Sequence, residues 1–520
     1  MDGETPRRAG GSRPLSWPAA WLVVVLMCLA PIWLFFDPLT HYRLQTDDFA
    51  YVAGSRTWER TWTNLFVPHN THVVPAWRVL CGLVVMAAGR LERLPNVMAP
   101  MAYGVLVATM LAVGWLVARE AGRVSWGLMA LAAFGSTSIL EAAGTWLSAS
   151  QTLWAALGIA GTLLSVQQWA RSGSRPALVA AVPLAWLAGG FWSVGHLAGV
   201  AGAAYLSGVG DRSRRHGAVV PLAASVGAVL VLSALKGREL ETQVRVDGQT
   251  PSEAFSLVQG ILYTFQAIPE NLVFGNLGLN VTTTPAQGVL LTLALAVLWV
   301  ASLHRARRWP GPMERAGLVL IGLSYVAEYG IRGYKPFAEL RGVAVPWYNT
   351  IPQLGFVLFL AGWALGQREN AGVSRVVRPL DRRGAALALV LQAFLLLMNV
   401  PRVQGLWDAN LPPMTIEDAR RIAADPSYRR QRARRLAVRW VLQQRRDLSR
   451  LDRAEAEAQR RGIDREAIRR AFGRVAISEL PEQYDAADML DLPKEGVVDD
   501  PAAVRAALGR WLAPAENPPR

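Results

Sequence analysis

The chain has 520 residues, of which 52% are hydrophobic and 18% charged, and its formal net charge is +15. That length exceeds one ordinary globular domain, and that apolar fraction excludes a disordered chain. Two cysteines, Cys28 and Cys81, both in apolar stretches, exclude a disulfide-built scaffold.

Mean hydropathy is positive, and the apolar residues gather in runs near 20 residues, long enough to cross a hydrocarbon core of about 30 Å. The sequence therefore predicts an all-α polytopic membrane helix bundle. Its 20 tryptophans suit the headgroup boundary of such a protein. Lysine stands only at Lys236, Lys335 and Lys494, so the positive charge is arginine. This bias is read as coding composition, with no nucleic-acid partner.

In chain order, residues 1–16 form a polar, basic amino-terminal tail expected in the cytoplasm, and Trp17 to Phe36 is the first span. This apolar run is too long for a signal peptide and lacks a small-residue cleavage site. Further spans are expected at 73–90, 97–118, 124–140, 151–169, 177–208 (two helices split at Gly189 and Gly190), 217–235, 286–303, 316–330, 346–366 and 384–400. That makes about 11–12. Five basic loops, Arg119–Arg123, Arg171–Arg175, Arg212–Arg215, Arg305–Arg315 and Arg368–Arg383, share the cytoplasmic side if arginine orients the spans. Residues 37–72, the Leu140–Gln151 loop, residues 236–285, residues 331–345 and everything after 400 then lie outside. One conflict follows: a full crossing at 73–90 would place Arg119 on the wrong side, so either that segment dips in without crossing or one span is misread. The 17–400 transmembrane domain is followed by a basic region, 401–520, with apolar positions at helical spacing (Leu436, Trp440, Leu448, Leu451). This small helical region is expected outside, resting on anionic lipid headgroups or presenting a solvated face.

Chemistry concentrates in the first external loop. Asp47 and Asp48 are paired carboxylates that can accept a proton from a hydroxyl or hold a divalent cation. Equally, Thr46 and Asp47 suit a helix cap. His69 and His72 follow at i and i+3, then Arg78, a combination suited to proton transfer, metal ligation or phosphate contact. Each histidine alone reads as an ordinary interfacial polar group. Glu141, with Trp146 and Gln151, is a carboxylate at a depth that needs a cavity or a partner. Arg332, Lys335 and Arg341 can hold a phosphate, or can neutralise Glu328 and Glu339 at helical spacing. His196, inside a span, reads as a satisfied interior histidine. P-loop, HExxH, CxxC and GxSxG motifs are absent.

A cytoplasmic amino terminus, one helix, a long external loop carrying DD, and ten or so further spans resemble the GT-C superfamily of integral membrane glycosyltransferases. The layout, over residues 15–400, is similar to that of protein mannosyltransferases and aminoarabinose transferases. HNTHVVPAWRVL takes the place of their proline-containing stretch, and RGVAVPWYNTIP, with Arg341 and Tyr348, that of their Arg-Tyr-Pro element near the donor phosphate. The Lys-Pro-Pro form of the first stretch is missing, and Arg341 and Tyr348 are not adjacent. The resemblance implies a polyprenyl-phosphate-linked sugar donor and an extracytoplasmic glycan, lipid or protein acceptor. It also implies Asp47 or Asp48 as catalytic acid residue and an active site outside a bacterial plasma membrane. No cofactor is certain, and a divalent cation (Mg or Mn) is left open. The competing expectation is a lipid-linked or small-molecule transporter, which should show inverted repeats; none is visible.

Overall fold

The computed structural model describes residues 14–40, 51–52, 54–55, 57–67, 73–89, 93–236, 257–279, 281, 283–331, 346–366 and 377–409. Asp47, Asp48, His69, His72, Arg332, Lys335 and Arg341 lie outside these residues, as do 1–13 and 410–520. Among the described residues every regular element is helical and no strand forms, as the apolar runs predict. The protein is an integral membrane helix bundle.

Among the described residues six helices are long and apolar enough to cross a bilayer: Trp17–Phe35, Asn96–Ala121, Leu147–Ser172, Arg212–Leu232, Pro285–Arg305 and Arg382–Val400. A bent pair, Val124–Gly135 with Ser138–Gly144, makes up to seven. The difference from 11–12 has a physical origin, because several expected spans are short or broken. Pro75–Ala88, Arg175–Phe191 and Thr350–Gly366 are apolar but shorter than those six. The 177–208 stretch breaks at Trp192, not at Gly189 and Gly190, and resumes at Leu197.

Backbone pairing fixes the two ends of the bundle. Leu15 N–H donates to the Leu380 carbonyl at 2.8 Å, and Arg378 N–H to that of Gly122 at 2.8 Å. The start of the first helix, the end of the Leu94–Ala121 helix and the start of the Arg382–Ala409 helix therefore share one end. Arg171 donates to the Arg119 carbonyl, and Trp169 Nε1 to the Arg214 carbonyl at 3.1 Å. Arg315 reaches Ser207 O at 3.2 Å, and Arg308 reaches Trp363 O at 3.4 Å. Described residues of all five basic loops thus meet at this end.

The same pairing resolves the conflict at 73–90. Trp17–Thr40 rises from the basic end, and Leu94–Ala121 returns to it, so 28 residues, about 42 Å of helix, start from the far end. Pro75–Ala88, only 14 residues and about 21 Å long, falls short of a crossing. Its Trp77, Cys81 and Val84 pack with Leu94, Met98 and Ala102 on the far half of that neighbour. It is a dipping segment, not a span.

Two expected loops are helical instead. Within 236–285, Leu257–Ala267 is an amphipathic helix continuing into a π-helical turn, Ile268–Phe274. Between Leu140 and Gln151, the short Glu141–Thr145 helix leads into Leu147–Ser172, which places Gln151 inside a helix, one turn from its start.

Close packing at the basic end rests on small residues. A methyl built on Gly317 would stand 2.4 Å from the Gly355 carbonyl oxygen, so the Pro312–Tyr325 and Thr350–Gly366 helices touch through backbone. Beside this contact the fully buried Glu314 accepts from Arg308 Nη1 at 2.5 Å and Nη2 at 3.0 Å, and from Trp299 Nε1 at 3.1 Å.

The two-ended arrangement has a direct readout. In a background lacking Cys28 and Cys81, cysteines replacing the exposed Thr63 and Ser213 should react with a membrane-impermeant thiol reagent from opposite sides of the membrane. Labelling of both from one side would contradict it.

Candidate functional site

The end away from the basic loops is where helices break, and each break exposes backbone groups that lipid cannot satisfy. Val124–Gly135 stops at Ser136, and the chain turns by 55° into Ser138–Gly144. The freed Ser138 N–H donates to Asn399 Oδ1 at 2.8 Å, and Asn399 Nδ2 donates to the Asn276 carbonyl at 3.0 Å. Asn276 and Gln353 exchange two amide hydrogen bonds, both 2.8 Å, and Gln353 Nε2 also reaches the Ala133 carbonyl at 2.9 Å. Gln392 Nε2 donates to Met27 O at 2.8 Å and Ser136 Oγ at 3.2 Å. Five elements distant in sequence are joined by these amides.

Glu141, Tyr348 and Arg78 lie around this junction. Glu141 is 8% exposed and opens a short helix packed against the Pro346–Asn349 turn. In that turn Tyr348 stacks on Trp192 at 5.7 Å, and Asn349 accepts from the Tyr325 hydroxyl at 2.8 Å. The next residue, Thr350, lies with its Oγ1 2.9 Å from that of Thr152. The Trp192 break thus joins the turn that carries Tyr348.

Arg78 sits in the first turn of the dipping helix and is 5% exposed. Its guanidinium lies 4.9 Å over the Tyr51 ring, which meets Trp77 edge-on at 6.0 Å. Among the described residues it has no ion pair, and its buried Nε has no hydrogen-bond partner. The cluster around it takes in Leu147, Trp154 and Phe191, at the starts of the Leu147–Ser172 helix and the Trp192 break. Arg78 and Tyr348 therefore belong to neighbouring clusters at one end of the bundle. This brings together three of the ten residues singled out in the sequence; the other seven lie outside the described residues.

Sequence reasoning passed over Asn276, Gln353, Gln392 and Asn399, because an isolated amide in an apolar run carries no pattern. It also passed over Glu270, which is 4% exposed on the Ile268–Phe274 turn. Glu270 Oε1 accepts from Thr283 Oγ1 at 2.7 Å and Gln266 Nε2 at 3.2 Å, while its buried Oε2 has no partner among the described residues. Glu328, 2% exposed, lies on a second π-helical turn, Val326–Ile331. Among the described residues no three histidine, cysteine or carboxylate side chains group closely enough for a metal ion.

No family model, no curated protein and no solved structure matches the chain.

The amide pair yields a stability prediction. Gln353→Leu takes the amide donor from Asn276 Oδ1 and from the Ala133 carbonyl, while Asn276 Nδ2 keeps the Leu272 carbonyl, at about 1–3 kcal/mol per buried group left unpaired. Adding Asn276→Leu removes the orphaned amide and should recover part of that loss in a double-mutant cycle of detergent unfolding. Strictly additive losses would mean that the two amides are not coupled.

Proposed function

We propose that this chain is a membrane glycosyltransferase that moves a sugar from a polyprenyl-phosphate donor to an extracytoplasmic acceptor, with the end away from the basic loops facing outward. The observation that carries the proposal is Arg78. A buried guanidinium without a counter-ion costs several kcal/mol, and an anionic ligand at that position offsets the cost. Arginine at membrane depth suits a lipid-linked phosphate, because its planar fork matches phosphate oxygens.

On this reading the acceptor oxygen attacks the anomeric carbon while its proton passes to the Asp47 carboxylate. The bond from that carbon to the phosphate oxygen breaks, and the polyprenyl phosphate leaves with the electron pair, inverting the anomeric centre. Asp48 orients Asp47, and Arg78 holds the phosphate, with Arg332, Lys335 and Arg341 as further cations for it. His69 and His72 stand beside the acceptor or the phosphate. Trp192 and Tyr348 offer flat faces for a sugar ring, and Glu141 a carboxylate for its hydroxyls.

A transporter is the second reading, favoured by the dipping Pro75–Ala88 helix and the π-helical turns, since broken helices frame transporter sites. The two separate in nanodiscs and proteoliposomes supplied with polyprenyl-phosphate sugars and an envelope lipid extract as acceptor. The transferase should cleave the sugar–phosphate bond. Asp47→Asn should lower transfer by roughly 10²- to 10⁴-fold while donor binding persists. Arg78→Gln should weaken binding of polyprenyl phosphate by about 2–5 kcal/mol. Movement of intact donor across the bilayer without cleavage would establish the transporter instead, and near-parental transfer by both Asp47→Asn and Asp48→Asn would remove the first-loop site.

A further inference from the structure

At the basic end three guanidinium groups converge on one helix terminus. The Leu147–Ser172 helix ends at Gly173, and Arg171 of its last turn reaches across to donate to the Arg119 carbonyl. Arg119 in turn donates to Gln168 of the same helix. Arg214 lies 5.3 Å over the Trp169 ring and packs against Gly173. Arg119, Arg171 and Arg214 are half-buried. Around them stand the exposed Arg123, Arg175, Arg212 and Arg215.

Among the described residues carboxylates do not balance this group. Residues 115–124, 168–176 and 209–217 hold seven arginines against Glu120 and Asp211. Glu120 is engaged by the Tyr205 hydroxyl at 2.6 Å and Gln167 Nε2 at 2.8 Å. Asp211 accepts from Ser213 Oγ at 2.6 Å and N at 2.9 Å, which holds its carboxyl below the usual range, with a weaker contribution from Arg214 3.5 Å away.

Each guanidinium carries five N–H donors, and Arg119 and Arg171 each use one of them in the bonds above. Among the described residues the buried Arg171 Nε has no partner. Helix-end carbonyls and the macrodipole account for cations near Gly173, but they leave these parallel donors unspent. Lipid-facing Trp115, 52% exposed, lies one turn before Arg119 on the same helix, so the group borders the bilayer.

We infer that Arg119, Arg171 and Arg214 form a binding site for the phosphate of an anionic phospholipid at the basic end of the bundle. Forked donors from two adjacent arginines suit one phosphate, Arg214 provides a third cation, and basic pockets between membrane helices are suited to lipid phosphates. The site is separate from the region around Arg78 and does not depend on the transferase reading.

The test uses full-length protein in a neutral detergent, titrated with cardiolipin, phosphatidylglycerol, phosphatidylcholine or inorganic phosphate, and read by native mass spectrometry and thermal shift. The parent should retain the two anionic lipids and be stabilised by them, with no such effect from phosphatidylcholine. Arg119→Gln/Arg171→Gln should weaken retention by about 30-fold, near the contribution of two surface cations. Arg305→Gln/Arg307→Gln, on exposed arginines of the same end, should weaken it far less. Equal losses in both double variants would reduce the site to diffuse charge and overturn the inference. Equal stabilisation by inorganic phosphate would overturn the lipid assignment. If the first double variant does not fold, Arg171→Lys and Arg214→Gln take its place: Arg171→Lys keeps the charge but not the fork, so lowered retention supports the site, and parental retention by both refutes it.

Discussion

The structure depends on one constraint: inside a bilayer, a backbone N–H or carbonyl released by a helix break has no water to bind. This chain breaks its helices repeatedly at the end away from the basic loops, and amide side chains take up the released groups. Asn399 accepts the Ser138 N–H, and its own amide spans to Asn276, which pairs with Gln353. Those amides come from three separate stretches of the chain, so they also hold the breaks in register. An irregular backbone with satisfied groups is the kind of framework that can surround a polar ligand at membrane depth.

Charge divides the molecule the opposite way. At the basic end, excess arginine sits among helix termini and short loops, and the fully buried carboxylate of Glu314 is held by the Arg308 fork and Trp299. At the far end the described Arg60 and Arg93 are exposed, while Arg78, on a dipping helix, is buried with an aromatic ring as its neighbour. The first arrangement suits the negative surface of a membrane, and the second suits a specific anion. Site chemistry in the proposal follows from this contrast more than from any one motif.

Much of the architecture was legible in the sequence. Long apolar runs located the principal helices, and the arginine loops placed five connections at one end, where backbone pairing at Leu380 and Gly122, and side-chain bonds of Arg171, Trp169, Arg308 and Arg315, put them. The 73–90 run marked the Pro75–Ala88 helix, but its shortness showed only as an inconsistency in that alternation. Leu257–Ala267 was missed because it spans 11 residues and is apolar along one side only. The candidate site was legible in part: Arg78, Glu141 and Tyr348 stood out as charge or aromatic groups beside apolar runs. The amide links did not, because Asn276 and Gln353 are separated by 77 positions and nothing local marks either residue.

The most direct test of the account is the structure of the protein bound to polyprenyl phosphate in a nanodisc. The account places the phosphate within hydrogen-bond distance, about 3 Å, of the Arg78 guanidinium, at the end that carries Glu141 and Tyr348. A phosphate bound at the basic end, with Arg78 still unpaired beside Tyr51, would contradict it.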